Sequence, residues 1–144
     1  MEQRAGTRQY ATFVVADLFF GVDVLRVQEV LRYQEMTAVP RSDGIIEGLI
    51  NLRGQIVTAL DMRRRLGLPP RTEGEEPMNV VLQRDDGAVS LLVDDIGDVI
   101  AVDPEGFEPP PATLEPAARE MLEGVYQLED RLLLILETDQ VLEA

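Results

Sequence analysis

Short runs of apolar and β-branched residues, separated by polar breaks, recur along the whole chain. Runs of this kind, bounded by Gly, Pro, Asn and Asp, are typical of β-strands. The pattern predicts nine or ten short strands joined by tight turns, with little helix, and therefore a small sandwich or one or more barrels. The predicted strands cover 9–15, 18–22, the two arms of 44–61, 78–83, 89–93, 96–102, 124–128 and 131–136.

The segment 44–61 has the clearest hairpin pattern in the chain. Two apolar runs flank a short polar break that contains a glycine, a pattern typical of a β-hairpin. Gly48, inside the first run, indicates a bulge or a close backbone approach. Asn51 and Gly54 supply the turn geometry, so Arg53 is not needed there for that purpose. The Arg53 guanidinium either contacts a partner protein or folds back onto an acid of its own domain, and the sequence leaves both interpretations open.

A few short helices are predicted between the strands. Asp23 is placed to cap an amphipathic helix over 24–31, in which Arg26 and Glu29 share the polar face. This pair is either a weak surface ion pair or part of a contact face for a partner. Three further short helices are predicted at 62–65, where Asp61 is the cap, at 116–122 and at 137–142.

The composition excludes several classes of function. The chain has neither Cys nor His, which removes thiolate chemistry, the commonest general base and the commonest zinc ligands. It has no P-loop and no G-x-G-x-x-G motif, and Ser42 and Ser90 lie in no nucleophile elbow. We therefore predict no catalytic residue, no cofactor and no enzymatic activity. Without a visible signal peptide or an apolar run long enough to cross a bilayer, the sequence predicts a cytoplasmic protein.

The charge is strongly negative and unevenly distributed. The net charge is −14, and all 13 basic residues are Arg. Residues 1–65 hold nine Arg and eight acids, a net charge of +1, whereas residues 66–144 hold four Arg and nineteen acids, a net charge of −15. Because nucleic-acid binding needs a basic face, this distribution argues against it. The acidic half either faces a basic partner or keeps the protein soluble.

Asp94, Asp95 and Asp98 form the densest acidic cluster near a strand end. One interpretation is a Ca²⁺ or Mg²⁺ site, although the spacing does not fit an EF-hand loop. The other is a solvated turn between two strands. We assign no metal ligand, and a divalent-ion or small-ligand binding domain centred on this cluster is kept as the alternative function.

Six motifs occur in order along the chain: FFGVD at 19–23, VLRVQEV at 24–30, GLINLRG at 48–54, LDMR at 60–63, VDDIGDV at 93–99, and Gly124 with RLLLIL at 131–136. Together they resemble the motifs of the chemotaxis coupling family, the CheW-like adaptors. The family segments Y-G-I-D, I-L-K-V-Q-E-I, V-D-L-R and V-D-G-V-S-D-V are similar to four of them, and G-[LVI]-I-N-L-R-G is the family's signature hairpin. Two positions depart from the family pattern, Asp95 where Gly is usual and Phe19 where a more polar residue is usual.

The resemblance implies a mostly-β fold. It would consist of two SH3-like five-stranded β-barrels packed around a shared hydrophobic core, with short helices. Residues 1–9 would be a short N-terminal tail, and residues 10–142 a single CheW-like domain of two barrel lobes.

The resemblance also implies a non-enzymatic adaptor that couples chemoreceptors to a CheA-type histidine kinase. The kinase regulatory domain would pair with it barrel to barrel, and the cytoplasmic tip of a methyl-accepting chemoreceptor would dock in the groove between the barrels. No direct membrane insertion is implied; the protein would be recruited from the cytoplasm to receptor arrays at the inner membrane. A pathway that controls pili or development fits the motifs as well as motility does.

Partner-binding residues are implied in three segments: the 24–30 motif, the signature hairpin and a strand that lines the groove. Among them we expect Arg53 and Glu29 to matter most. The full set is Val27, Glu29, Gly48, Asn51, Arg53, Gly54, Leu91, Leu92 and Val93.

Overall fold

The computed structural model describes residues 7–39, 44–85 and 87–142, which form two β-sheets and a few short helices. The first sheet contains β1 (Arg8–Val15), β2 (Leu18–Asp23), β8 (Asp95–Val102), β9 (Phe107–Glu108), β10 (Leu122–Gln127) and β11 (Leu132–Leu136). The second contains β3 (Val27–Leu31), β4 (Ile46–Leu52), β5 (Gln55–Asp61), β6 (Met78–Arg84) and β7 (Gly87–Val93). The helices are α1 (Met62–Arg65), α2 (Pro116–Arg119) and α3 (Thr138–Leu142).

Each sheet is the framework of one lobe. Lobe 1 has the strand order β8-β1-β2-β11-β10-β9, and lobe 2 has the order β3-β6-β7-β5-β4. Pairing is antiparallel except between β11 and β2 and between β5 and β7. From β1 and β2 in lobe 1 the chain crosses to lobe 2, and it returns at Asp94, between β7 and β8.

The two lobes share a hydrophobic core, and each also has an interior of its own. In β7, Leu91 and Val93 belong to the shared core, whereas Leu92 belongs to the interior of lobe 2. In β11, Leu134 faces the shared core and Leu133 the interior of lobe 1. Because side chains alternate between the faces of a strand, a strand buried on both faces needs a continuous apolar run. This requirement explains the uninterrupted LLV and LLLIL sequences.

Both sheets curl toward closure. Glu29 on β3 forms an ion pair with Arg53 at the β4–β5 turn, although β3 and β4 are opposite edges of the sheet. In lobe 1, Tyr10 on β1 and Tyr126 on β10 have ring centroids 5.9 Å apart with two strands between them. The mostly-β fold with two lobes around a shared core is thus confirmed. Lobe 1 has six strands rather than five because the two-residue β9 pairs with β10.

The prediction of a helix over 24–31 is wrong. Only Val24–Arg26 is helical, as a 3-10 turn, and the chain then continues as β3. Asp23 caps this turn as expected, since its carboxylate accepts a hydrogen bond from the backbone N–H of Leu25. The segment is too short to hold a helix alone, and pairing with β6 satisfies its backbone as a strand. Val27 and Val30 are β-branched and favour that outcome.

The remaining helices agree better with the sequence. Asp61 caps α1 by accepting a hydrogen bond from the backbone N–H of Arg63. The helix predicted at 116–122 ends at Arg119, because Leu122 already begins β10. At the amino end, β1 begins at Arg8, inside the predicted tail. Residues 1–6 of that tail lie outside the described residues, and the domain limits stay a prediction.

Candidate partner-binding site

The tip of the β4–β5 hairpin is a two-residue turn formed by Arg53 and Gly54. Both residues have positive φ, 50° and 89°, as in the type I′ turns that match the twist of paired strands. The Asn51 side-chain oxygen accepts a hydrogen bond from the Gly54 N–H at 2.9 Å. The turn roles predicted for Asn51 and Gly54 agree with this geometry. Arg53 lies at the tip, as expected, and it does so in a left-handed conformation that costs about 1–2 kcal/mol outside glycine.

The Arg53 guanidinium reaches across the curled sheet to the Glu29 carboxylate. Its side chain is nevertheless 70% exposed, whereas that of Glu29 is 21% exposed. Ile56, two residues after the turn, is 59% exposed although it is a large apolar residue. The tip therefore presents the Arg53 guanidinium and the uncovered Ile56 side chain to solvent, and the partly buried Glu29 carboxylate lies beside the guanidinium.

Gly48 has a packing role in the same hairpin. A Cβ at this position would lie 2.7 Å from the carbonyl oxygen of Thr37. Thr37 and Leu49 exchange two backbone hydrogen bonds of 2.8 Å, and the register of β4 against β5 shifts between Ile46 and Gly48. Both the bulge and the close backbone approach expected of this glycine are confirmed.

The other predicted positions lie beneath the surface. Leu91, Leu92 and Val93 are on β7 in the middle of the lobe 2 sheet and are at most 1% exposed. Val27 is half-buried and packs against the shared core. The structure therefore brings Glu29, Asn51, Arg53 and Gly54 together at the hairpin tip but places these four apolar side chains in or against the interior. Their assignment to a partner groove stays a prediction.

The environment of Asp94 differs from those assigned to it by both interpretations drawn from the sequence. Asp94 is not a solvated turn residue: its carboxylate accepts hydrogen bonds from Arg63 Nε (3.0 Å) and Nη2 (2.7 Å) and from the Ala16 N–H (2.6 Å). Arg71 Nε lies 3.0 Å from the same carboxylate, an ion-pair distance, although its N–H does not point along a hydrogen bond. Asp95 and Asp98 are exposed.

Asp61 completes this arrangement, which we call the crossing cluster and define as Asp61, Arg63, Arg71 and Asp94. Arg71 Nη1 donates to Asp61 at 3.0 Å, and Arg71 Nη2 donates to the carbonyl of Leu92 at 3.1 Å. The four side chains are only 9–20% exposed. With two cations and two anions the cluster is neutral, which limits the cost of burying its charges.

Two pKa values reflect this pairing. Burial disfavours the carboxylate of Asp94, but the hydrogen bonds from Arg63 and Ala16 and the positive charges of Arg63 and Arg71 outweigh it. Together they hold the pKa of Asp94 below its ordinary value of 3.8. The hydrogen bonds to Asp94 in turn raise the pKa of Arg63. Both groups therefore stay charged at neutral pH.

The divalent-ion alternative has no support. Across the described ranges, no group of three or more acidic side chains is arranged to hold a metal ion. Asp94, the residue at the centre of the predicted site, already has its oxygens engaged by two arginines and a backbone amide.

The ion pairs of Asp61, Arg63 and Arg71 and the exposure of Ile56 are not among the features predicted from the sequence. A signal for the first two is present, since an acid at the end of a buried strand and an Arg two residues later form the LDMR motif at 60–63. Arg71 carried no such signal, because its partners are distant in sequence. In the part of the chain that is described, no helix has the length and apolar character needed to cross a membrane.

Comparison with known proteins decides the family. The model of the CheW-like domain matches residues 9–144. The chain belongs to the CheW-like domain family. The match covers both lobes, the hairpin tip and the crossing cluster, so the resemblance implied by the six motifs is confirmed.

Individual relatives cover nearly the whole chain. The chemotaxis protein CheW of Bacillus subtilis is 30% identical over 131 residues, which are 91% of this chain and 84% of that protein. The probable chemotaxis protein CheW of Rhizobium etli is 29% identical over 134 residues, 93% of this chain and 86% of that protein. The crystal structure of the scaffolding protein TtCheW from Thermoanaerobacter tengcongensis has a TM-score of 0.83 and 27% identity, and the match covers 95% of this chain and 93% of that one. This family member is a chemotaxis adaptor.

Proposed function

We propose that this adaptor joins the cytoplasmic tip of a chemoreceptor to the regulatory domain of a CheA-type histidine kinase, and that the hairpin tip is part of the face that binds a partner. The observation that carries the proposal is the Arg53–Glu29 pair, which is exposed at a turn where Arg is conformationally unfavourable. Relatives named as chemotaxis proteins and a scaffolding protein support the partner class.

The geometry suits a weak and reversible contact. Arg53 already faces a carboxylate, so a partner carboxylate would replace one exposed ion pair by another with little net gain in Coulomb energy. The planar fork of Arg would set the orientation of the partner, and burial of the exposed Ile56 would add apolar contact area. Individual contacts of this kind are weak, and an array makes them effective through avidity.

The buried predicted residues have an indirect part in this proposal. Gly48 lets the β4 backbone approach Thr37, and Leu91, Leu92 and Val93 hold β7 between the two layers of core. They fix the shape of the lobe that carries the hairpin tip. The adaptor would act in the cytoplasm, at receptor arrays on the inner membrane, without catalysis or cofactor.

The test is calorimetry of the whole chain with two partners from its own genome, a kinase regulatory domain and a receptor signalling tip. Arg53→Ala and Glu29→Ala should weaken binding of at least one partner about tenfold, the effect of losing one contact to a charged group. Glu47→Ala is the matched control, because Glu47 forms an ion pair with Arg64 in the same lobe, away from the hairpin tip. Unchanged binding in both test variants would refute the role of the tip, and no binding of either partner by the wild type would refute the adaptor proposal.

A charge-swapped variant separates contact from internal closure. Arg53→Glu combined with Glu29→Arg restores an ion pair across the curled sheet with reversed polarity. If Arg53 contacts the partner, the swapped chain should bind as weakly as Arg53→Ala. Full recovery of binding would show that the pair only closes the sheet.

A further inference from the structure

The helix α1 contains three consecutive arginines, and each reaches a different part of the molecule. Arg63 contacts Asp94 at the crossing from lobe 2 to lobe 1. Arg64 contacts Glu47 on β4 at 2.9 Å, the carbonyl of Gly44 at 2.8 Å and, more distantly, the Asp61 carboxylate at 3.6 Å, all in lobe 2. Arg65 Nη2 donates at 2.9 Å to the carbonyl of Gln140 in α3, which follows the last strand of lobe 1. Two of the three arginines therefore cross between lobes, and the one between them does not.

Through Asp94, the Arg63 contact also reaches the turn between β1 and β2 in lobe 1. Its carboxylate accepts the N–H of Ala16, at the turn between β1 and β2, and its own N–H donates to the carbonyl of Val14 at 2.9 Å. Ala16 has a φ of 57°, an unfavourable conformation for a residue other than glycine. The hydrogen bond to Asp94 holds this strained turn against α1.

The other crossing between the lobes is held less firmly. It is the 3-10 turn Val24–Arg26, where Arg26 lies 3.4 Å from both the Gln83 carbonyl and the Asp139 carboxylate. Asp139 is largely exposed. Long, solvated contacts of this kind contribute little. Among the described residues, the short side-chain contacts between the lobes thus concentrate at α1 and Asp94, and of these the Arg63–Asp94 pair is the largely buried one.

We propose that α1 is an orientation lock, in which Arg63 and Arg65 set the angle between the two lobes. The shared core keeps the lobes together, but the hydrophobic effect that drives its burial is non-directional. Charge-assisted hydrogen bonds from a guanidinium are directional, and Arg63 makes two to one carboxylate. The shared core therefore holds the lobes together, and the arginines fix the angle between them. The proposal concerns the chain alone and does not depend on any partner.

The lock can be tested by measuring the distance between spin labels on the two lobes. The chain has no Cys, so Gln28→Cys on β3 and Gln127→Cys on β10 would be its only thiols, and both positions are exposed. In this labelled background, Arg63→Gln with Arg65→Gln should broaden the distance distribution and shift its mean. Arg64→Gln is the matched control, since it removes the same charge from the same helix but only contacts within lobe 2.

Amide hydrogen exchange gives a second readout. Loss of the Arg63 contact leaves Arg71 as the one cluster arginine beside the Asp94 carboxylate and holds that carboxylate less firmly. Arg63→Gln should therefore lower the protection of the Ala16 amide about tenfold, as expected for weakening one charge-assisted hydrogen bond. Arg64→Gln should leave it unchanged. If the double variant does not fold, Arg65→Gln alone, which leaves the crossing cluster intact, should still broaden the distribution relative to Arg64→Gln. An unchanged distribution in the folded double variant, or equal broadening with Arg64→Gln, would overturn the proposal.

Discussion

Two arginine–carboxylate sites in lobe 2 show how the same chemistry serves different ends. At the hairpin tip, Arg53, whose side chain is 70% exposed, forms one ion pair with Glu29, whose side chain is 21% exposed. At the other end of β5, the crossing cluster joins two arginines to two aspartates, and all four side chains are 9–20% exposed. An ion pair with a solvated arginine exchanges readily with water or a partner, whereas a largely buried cluster loses much of its stabilising free energy when any member is missing. Burial of the arginine and the number of its partners, rather than residue type, decide which of the two sites is structural.

The largest effect should come from breaking the buried cluster. Asp94→Ala leaves Arg63 and Arg71 without their shared carboxylate in a mostly buried site. We expect a loss of about 3 kcal/mol in the free energy of unfolding, measured by urea denaturation. A loss as small as that of an exposed pair would remove the distinction between the two sites.

A smaller loss of unfolding free energy should follow from Gly48→Ala. This variant tests whether the hairpin depends on the close approach of its backbone to Thr37 rather than on the ion pair. The new Cβ would meet the Thr37 carbonyl oxygen at 2.7 Å, so the Thr37–Leu49 bridge must shift. We expect about 2 kcal/mol of destabilisation. Gly44→Ala is the control, because a Cβ there meets nothing within 4 Å, and equal losses in the two variants would contradict the steric argument.

Low pH should destabilise the crossing cluster through protonation of the Asp94 carboxylate. Because the pKa of Asp94 in the folded chain lies below its ordinary value of 3.8, folding favours the carboxylate. Its contribution to stability is complete above pH 3.8 and is lost as the pH falls through the lower folded-state value. The difference in unfolding free energy between wild type and Asp94→Asn should therefore be constant near neutral pH and shrink in acid. A difference that stays constant down to pH 2.5, about one unit below the ordinary value, would contradict this assignment.

The smallest effect on stability should come from Arg53→Ala. Exposed ion pairs contribute about 0.2–1 kcal/mol, and Ala in the same turn has the same left-handed cost as Arg. Melting temperature should hardly change while partner binding weakens. A large fall in melting temperature would show that the pair is structural, like the buried cluster.

The sequence by itself determined much of the fold and part of the site. The alternating turns and apolar runs indicated the strands, because a strand buried on both faces needs a continuous apolar run, as in LLLIL. The N-L-R-G break at 51–54 indicated the hairpin tip, since local turn chemistry can be predicted from adjacent residues. The ordered motifs indicated the family, and the match over residues 9–144 confirmed it.

Tertiary structure alone decided the remaining features. Segment 24–31 has helical spacing, but pairing with β6 made most of it a strand, since long-range backbone bonds override local propensity. Glu29 faced Arg53 rather than Arg26 because the sheet curls and brings its edges together. Asp94 became a buried ion-pair residue because Arg63 and Arg71, 31 and 23 positions away in the sequence, fold onto the crossing. No local pattern encodes such partners, because they meet only when the two lobes pack.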